Sequence, residues 1–311
     1  MDKKSCFRTT IGGQALLEGI MMRGPEKQSI VVRKSDGSHV VKTEPIKMIS
    51  QKHKIFKLPF IRGPINFYYS MKDGVKALMY SADIAFEDIP EEDYKPGFLE
   101  RKLGRKKADE IAMTISLVLG IALPVALFIL LPTLVAGLFD SFITGVWRSL
   151  LEGVIRMIIF FIFIVSTSRM KDIKRTYMFH GAEHKTIHCY ENGMELAVEN
   201  VRKFPKGHPR CGTSFLFVVM IISILVFAFV SWSNPLIRML LRLLLLPVVV
   251  GISYEFNRFV GRHDNKLTQI LRAPGIAFQK FTTIEPDDEM IEVAIEALKN
   301  VIPEEEGSDK W

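Results

Sequence analysis

The chain has 311 residues, 48% of them hydrophobic, and a net charge of +7 with a positive mean hydropathy. The apolar excess is gathered in long runs, which excludes a large soluble core as its source and points to a membrane class. The positive charge clusters beside those runs and forms no basic stripe interleaved with aromatics, so no nucleic-acid partner is expected. Cys6, Cys189 and Cys211 are too few for a disulfide framework. The segment Met1–Thr10 lacks the apolar stretch of a signal peptide, so the N-terminus is expected in the reducing cytosol.

In chain order, residues 1–110 read as a small cytosolic or interfacial α+β region. The segment Ile11–Pro25 is glycine-rich, with Gln14, Glu18 and Arg23 among the glycines; it is no phosphate loop, and tight turns or close backbone approach explain it. Ser29–Lys34 and His39–Lys42 are β-rich runs about Asp36-Gly37, a hairpin turn signal. Pro64–Phe86 reads as a helix with Phe67, Met71, Leu78, Met79 and Ala82 apolar, followed by an acidic linker over Ile89–Gly97.

Residues 111–168 form a first membrane hairpin. Ile111–Phe139 is an uncharged run of 29 residues, longer than the roughly 20 that span a bilayer. Pro124 and Pro132 interrupt it and require neighbours to satisfy the freed carbonyls. The second arm carries Arg148, Glu152 and Arg156 at i+4 steps before the clean run Met157–Ser168, so these side chains are expected to pair or to snorkel. Residues 213–256 repeat the pattern, with a turn at Ser231–Pro235 and Arg238 and Arg242 opening the second arm. The chain is thus expected to be a mainly α membrane protein of two transmembrane hairpins, about four helices, with re-entrant hairpins as the alternative. Lys and Arg flank the first hairpin and fill the central loop, 169–212, from Arg169 and Arg175 through Lys185 to Arg210. The positive-inside rule therefore puts the loop and both termini, including the C-terminal region 257–311, in the cytosol. Within that last region Pro286-Asp-Asp-Glu opens an amphipathic helix through Asn300, with acids at the positive end of the helix dipole.

The central loop holds the densest chemistry. Three of seven histidines, His180, His184 and His188, fall at i, i+4 and i+8, along one stripe of a helix. His180-x-x-Glu183-His184 matches the inverted zincin pattern, in which two histidines hold zinc and the neighbouring acid activates water. A catalytic zinc needs a further ligand; His188, Glu191, Cys211 and Glu255 are the candidates. The competing explanation is a polar juxtamembrane helix whose histidines meet lipid phosphates or carbonyls. Cys211, beside Arg210, is a soft ligand, a reactive thiol or simply buried. Glu255, at the end of the last apolar arm, is either a ligand or the ion-pair partner of Arg258 or Arg262.

Taken together, Gly12-Gly-Gln-Ala-Leu-Leu-Glu-Gly-Ile-Met-Met-Arg-Gly, Arg62-Gly, His180-Gly-Ala-Glu-His-Lys, Pro209-Arg-Cys-Gly-Thr-Ser and Tyr254-Glu resemble the YqhQ family of bacterial membrane proteins, a domain of unknown function also described as predicted metal-dependent enzymes. The resemblance covers most of residues 10–285 and implies a bacterial cytoplasmic membrane setting, without a substrate. The expected function is a metal-dependent hydrolase at the cytosolic membrane face, with a zinc-type ion on His180 and His184, completed by His188, Glu255 or Cys211. Glu183 would be its general base, and its substrate a membrane-associated peptide or lipid. The alternative is a non-catalytic transporter or assembly scaffold, in which the Arg148–Glu152–Arg156 ladder and Arg238 and Arg242 line a path or hold helices together, with membrane lipids as partners in either case.

Overall fold

The computed structural model describes residues 7–46, 54–85, 98–229, 234–263, 265–305 and 307–310. Cys6, the acidic linker from residue 89 to 97, residues 231–233 of the second hairpin turn and Asp264 lie outside the described residues. Four strands come first: β1 (Gly12–Leu16), β2 (Gly19–Arg23), β3 (Lys27–Arg33) and β4 (His39–Pro45). A 3-10 turn at Lys54–Lys57 leads into α1 (Arg62–Ala85), then α2 (Phe98–Leu103), α3 (Arg105–Val125), a π-turn over Ala126–Leu130, and α4 (Leu131–Gly137). The helices α5 (Gly145–Thr167), α6 (Lys171–Glu191), α7 (Val198–Val201), α8 (Gly212–Ala228), α9 (Pro235–Arg262), α10 (Lys266–Gln279) and α11 (Asp288–Lys299) complete the chain.

The chain divides into two compact units. One gathers Met1–Glu87, Ile164–Ile222 and Pro247–Trp311; the other takes Asp88–Phe163 and Ser223–Leu246. Residues 1–87, the central loop and the C-terminal region, separate in sequence, are therefore gathered in one unit, while residues 88–110 of the expected N-terminal region belong to the other.

In the first unit the strands form an antiparallel sheet in the order β1-β2-β3-β4. The expected hairpin about Gly37 is β3–β4, and Gly37 takes the positive φ that such a turn requires. The glycine-rich segment is more than a turn: it forms a second hairpin, β1–β2. Strand alternation sends Ile20, Met22 and Val31 to one face, where Phe179 and Ile187 of α6 and Met290, Ile291 and Leu298 of α11 complete the main core. Met21, Ile30 and Val32 point to the other face, against Leu16 and Ala77 of α1. Both faces are covered, so β3 reads as a continuous apolar run. The β1–β2 turn is tied to α6 by Glu18, which sits at φ +48 in the left-handed region that favours glycine. Arg175 Nη2 donates to its carboxylate at 2.6 Å and Arg33 Nη2 at 3.2 Å. These bonds hold a strained residue in place.

The apolar helices are divided: α3, α4 and most of α5 belong to the second unit, while most of α8 and the C-terminal half of α9 belong to the first. Among the described residues, three stretches are long and apolar enough to cross a membrane: Thr114–Gly137, Gly145–Thr167 and Leu236–Arg262. The fourth expected crossing, α8, has 17 residues and falls short of that length. The prolines are accommodated as the sequence requires. Pro132 has no N–H to give to the carbonyl of Phe128, and Arg156 Nε donates to that oxygen at 2.7 Å. The local π-turn absorbs the remaining misfit. Glu152, fully buried, is the hub of the polar cluster. Its Oε1 accepts from Arg156 at 3.1 Å and from Arg242, and Thr133 Oγ1 lies 2.9 Å away. Both guanidiniums also face the Phe227 ring, at 5.6 and 5.5 Å from its centroid.

Two outcomes follow. Removing the shared carboxylate in Glu152→Leu leaves two buried guanidiniums without their anion, a loss of roughly 3–5 kcal/mol. It will lower the thermal midpoint of the detergent-solubilised protein, whereas the charge-free triple variant Glu152→Leu/Arg156→Met/Arg242→Leu recovers much of it. The second concerns Glu18: burial pushes its carboxyl up, but Arg175 and Arg33 outweigh burial and hold it below the ordinary carboxylate range. Its contribution to stability is thus present above that range and disappears as pH falls through the depressed value. Thermal midpoints recorded from neutral to acid pH will fall less steeply for Glu18→Gln than for the wild type.

Candidate metal centre

α6 carries the site. It is amphipathic on more than one side, because its surroundings are protein nearly all round: Phe179, Ala182 and Ile187 enter the main core while Glu183, His184 and Lys185 are also buried. Buried polar groups must find partners, and the loops around α6 supply backbone carbonyls for that purpose.

His180 Nδ1 lies 2.8 Å from the Thr282 carbonyl, and its Nε2 lies 3.1 Å from Cys211 Sγ. His184 Nδ1 lies 2.6 Å from the Lys206 carbonyl. A carbonyl only accepts, so each Nδ1 carries a proton and Nε2 is the nitrogen left to face the other two side chains, with a lone pair whenever its ring is neutral. The two rings stand edge to face with centroids 4.4 Å apart. One ligand atom each from His180, His184 and Cys211 falls within 4.8 Å of the others, and all three residues are buried.

The segment that presents Thr282 reaches α6 because residue 181 is glycine. A Cβ there would stand 2.1 Å from the Ile284 carbonyl oxygen. The Ile284 N–H closes the contact by donating to the Tyr177 carbonyl at 2.9 Å. On the opposite side β1 meets Glu183. The Gly13 N–H donates to Glu183 Oε1 at 3.1 Å, and a Cβ on Gly13 would lie 2.9 Å from the Glu183 carboxyl carbon.

The electrostatics of the trio are coupled. Burial alone raises a thiol, but the His180 and His184 imidazoles outweigh it and hold Cys211 well below the ordinary thiol range. Burial opposes charge on His180, yet the Cys211 thiolate and Glu183 raise it to about 9. Glu183 is raised by its burial, with the histidines working against the rise. The picture is a thiolate beside an imidazolium, with a carboxyl adjacent that holds its proton more readily than usual.

A divalent ion fits these residues on one direct observation. His184 Nε2 is buried and makes no hydrogen bond of ordinary geometry. An orphaned lone pair aimed at a second imidazole nitrogen and a thiolate is the donor set of a soft or borderline metal, zinc above all. The carbonyls behind both imidazoles are the outer-shell partners that such ligands require.

Of the sequence candidates, His180, His184 and Cys211 converge, with Glu183 alongside. His188 and Glu191 do not join them. His188 Nε2 turns to the Gly207 carbonyl at 2.9 Å, and its ring packs on His208 with centroids 4.7 Å apart. Glu191 takes the Thr9 N–H at 2.8 Å and the Arg210 guanidinium, and lies 3.5 Å from His208. His188, Glu191 and His208 are close enough to share an ion, but the guanidinium already on Glu191 repels a cation. Burial lowers His208 to about 4, leaving it neutral. Glu255 is elsewhere. Its carboxylate binds the Arg62 guanidinium, with Nε at 2.7 Å, rather than the local Arg258 or Arg262 expected from sequence. Several central-loop cations also have partners beyond any topological role: Arg175 with Glu18, Lys185 with Glu285, and Arg210 with Glu191.

Sequence reasoning missed Gly13, Gly181, His208 and the carbonyls of Thr282 and Lys206. His208, three residues before Cys211, carried a signal in its spacing; the carbonyls carried none, since every residue has one.

The model of a family described as a protein of unknown function (DUF1385) matches residues 58–304. The chain is 33% identical over 297 residues to the uncharacterized protein YqhQ of Bacillus subtilis (strain 168), covering 94% of this chain and 92% of that protein. No solved structure matches the chain.

The close approach at Gly181 gives a sharp test. Gly181→Ala pushes the 282–284 segment off α6, a strain of roughly 1–3 kcal/mol, and removes the carbonyl that orients His180. Its thermal midpoint drops, and zinc affinity measured by competition with a chromophoric chelator falls about 10–100-fold, as for other outer-shell losses.

Proposed function

Because the chain belongs to the DUF1385 family, whose description assigns no activity, we propose from its residues that it is a membrane protein holding a divalent metal, zinc by donor chemistry, through His180, His184 and Cys211. It acts as a hydrolase on a membrane-associated peptide or lipid at the cytosolic face. The observation that carries the reading is the buried, unbonded Nε2 of His184, held by its Nδ1 contact with Lys206.

When bound there, the metal supplies Lewis acidity, polarising an acyl or phosphoryl oxygen and acidifying water. The protein supplies the rest. Thr282 and Lys206 keep both imidazoles in one tautomer. Gly13 N–H holds one oxygen of Glu183, which leaves the other to accept a proton from water and return it to a leaving group. Burial raises the proton affinity of Glu183, the direction that an acid–base exchange requires of a carboxylate. Two histidines and one thiolate would supply three donors, the number that a catalytic rather than a closed structural zinc site takes from its protein.

A second reading is favoured by the 3.1 Å contact between Cys211 Sγ and His180 Nε2. A thiolate paired with an imidazolium, which is itself oriented by Thr282, is the arrangement of a cysteine nucleophile with its base.

One set of measurements separates the two. The purified full chain takes up one equivalent of zinc, and His184→Ala and Cys211→Ser lose it. Glu183→Gln keeps the zinc but loses hydrolysis of peptides or phospholipids presented in vesicles. Under the metal reading, zinc protects Cys211 from iodoacetamide. A protein with no zinc affinity whose Cys211 alkylates rapidly, and which is active as Glu183→Gln, belongs to the second.

A further inference from the structure

Two helices of the first unit expose apolar stripes that the fold leaves uncovered. α1 packs on the sheet unit through small residues, Gly63, Gly74, Ala77 and Ser81. Its large apolar residues face away. Phe67, Tyr68, Met71, Val75, Leu78 and Met79 are all exposed, Val75 at 47%. At about 100° per residue they fall within an arc of roughly 120°. Lys72 and Lys76 follow along the edge of that arc and are also exposed.

α10 repeats the design. It buries Thr268, Gly275, Phe278 and Gln279. Leu267, Ile270, Pro274 and Ala277 are exposed, Ile270 at 68%, on an arc of roughly 80°. From Lys266 to Ile284 the chain contains Lys266, Arg272 and Lys280 and no acid.

Both helices are anchored where apolar helices enter this unit. Phe67 packs on Phe215 in the first turns of α8, with centroids 5.9 Å apart. Asn66 Nδ2 donates to Tyr254 Oη at 3.0 Å, and Arg62 binds Glu255, both near the polar end of α9. α10 stacks Phe278 on Phe217 of α8, with centroids 5.7 Å apart. The stripes therefore continue apolar surface already present on α8 and α9, including exposed Leu216, Val248 and Phe259.

We propose that α1 and α10 lie in the plane of the bilayer interface, their apolar stripes among the acyl chains and Lys72, Lys76, Lys266 and Lys280 among anionic headgroups. The occupant is a lipid surface rather than a second copy of the chain, because copies meeting through these stripes would bring cation-rimmed faces together, whereas anionic lipid complements them. α10 also borders the candidate metal centre. Gln279 Nε2 donates to the His208 carbonyl at 2.7 Å and to Ser214 Oγ at 2.6 Å, and the chain just beyond presents Thr282 to His180. An embedded α10 sets that centre directly at the membrane surface. The proposal does not depend on whether a metal is bound.

Nitroxide depth measurements on the full chain in nanodiscs of phosphatidylcholine and phosphatidylglycerol test it. Single labels are placed at Val75→Cys, Ile270→Cys, Lys76→Cys and Lys280→Cys in a Cys6→Ser chain, and the Cys6→Ser parent is carried through the same labelling so that any signal from Cys189 and Cys211 is subtracted. Labels at 75 and 270 will relax with oxygen in preference to a water-soluble nickel chelate, at roughly 5–10 Å below the phosphates. Labels at 76 and 280 will show the reverse preference. Nickel access at all four positions overturns the proposal. So does shielding of 75 and 270 from both agents with broadening that grows with the number of chains per disc, which is burial by a second copy. A depth unchanged when phosphatidylglycerol is left out overturns the electrostatic half.

Discussion

The geometry of the candidate centre depends on backbone carbonyls that reach into one buried helix. An imidazole carries two nitrogens, and in a buried setting each needs a partner. The fold gives the Nδ1 atoms of His180 and His184 to Thr282 and Lys206, and so commits both Nε2 atoms to the same small volume as Cys211 Sγ. That commitment requires three chain segments far apart in sequence to meet at α6. Gly13 and Gly181 permit the approach on two sides, and the core shared by the sheet, α6 and α11 keeps the helix from turning away. The strained Glu18, clamped by Arg175, fixes the β1–β2 hairpin that delivers Gly13.

The second unit, of apolar helices, meets a different problem with similar means. Its cost is charge in an apolar environment, where an unpaired ion is more expensive than a pair. Glu152 is shared between Arg156 and Arg242, and Arg156 also answers the carbonyl that Pro132 strips of its hydrogen bond. The proline and the charged ladder, each unfavourable alone in a lipid-facing helix, are mutually compensating. The buried charges thus join helices of this chain to one another.

Legibility in the sequence followed the range of the interactions. The β3–β4 hairpin, α1, the apolar runs and the histidine helix rest on local periodicity and turn chemistry, and all were readable. So was the convergence of His180 and His184, which one helical turn guarantees. Long-range pairing was not. Glu255 has Arg258 and Arg262 as sequence neighbours, yet its partner is Arg62, nearly two hundred positions away. The choice among His188, Glu255 and Cys211 as the third donor depended on which loop folds back onto α6, and nothing local in the sequence decides that. Gln14, Gly13 and Glu18 looked like turn residues because a hairpin of two short strands rich in glycine has little β signal of its own.

The orientation of α1 illustrates why periodicity alone can mislead about what it buries. The spacing of Phe67, Met71 and Leu78 reads as a core-facing stripe, the ordinary meaning of an amphipathic helix. In the fold that stripe faces outward, and the glycines, alanine and serine on the adjacent face make the protein contact. Small residues allow the helix to sit close to the sheet, where Gly74 meets the Gln14 side chain, and close approach replaces bulk as the source of packing. In a soluble protein this arrangement would waste the larger apolar area and expose it to water. In a chain that also has helices long and apolar enough to span a bilayer it would be economical, because lipid would provide the second apolar phase. The same reasoning applies to α10, whose buried face is built from Thr268, Gly275, Phe278 and Gln279 and whose aliphatic residues point away. The helix that supports the metal centre is then one that a lipid surface would also contact, which ties the candidate chemistry to substrates residing in or on the membrane.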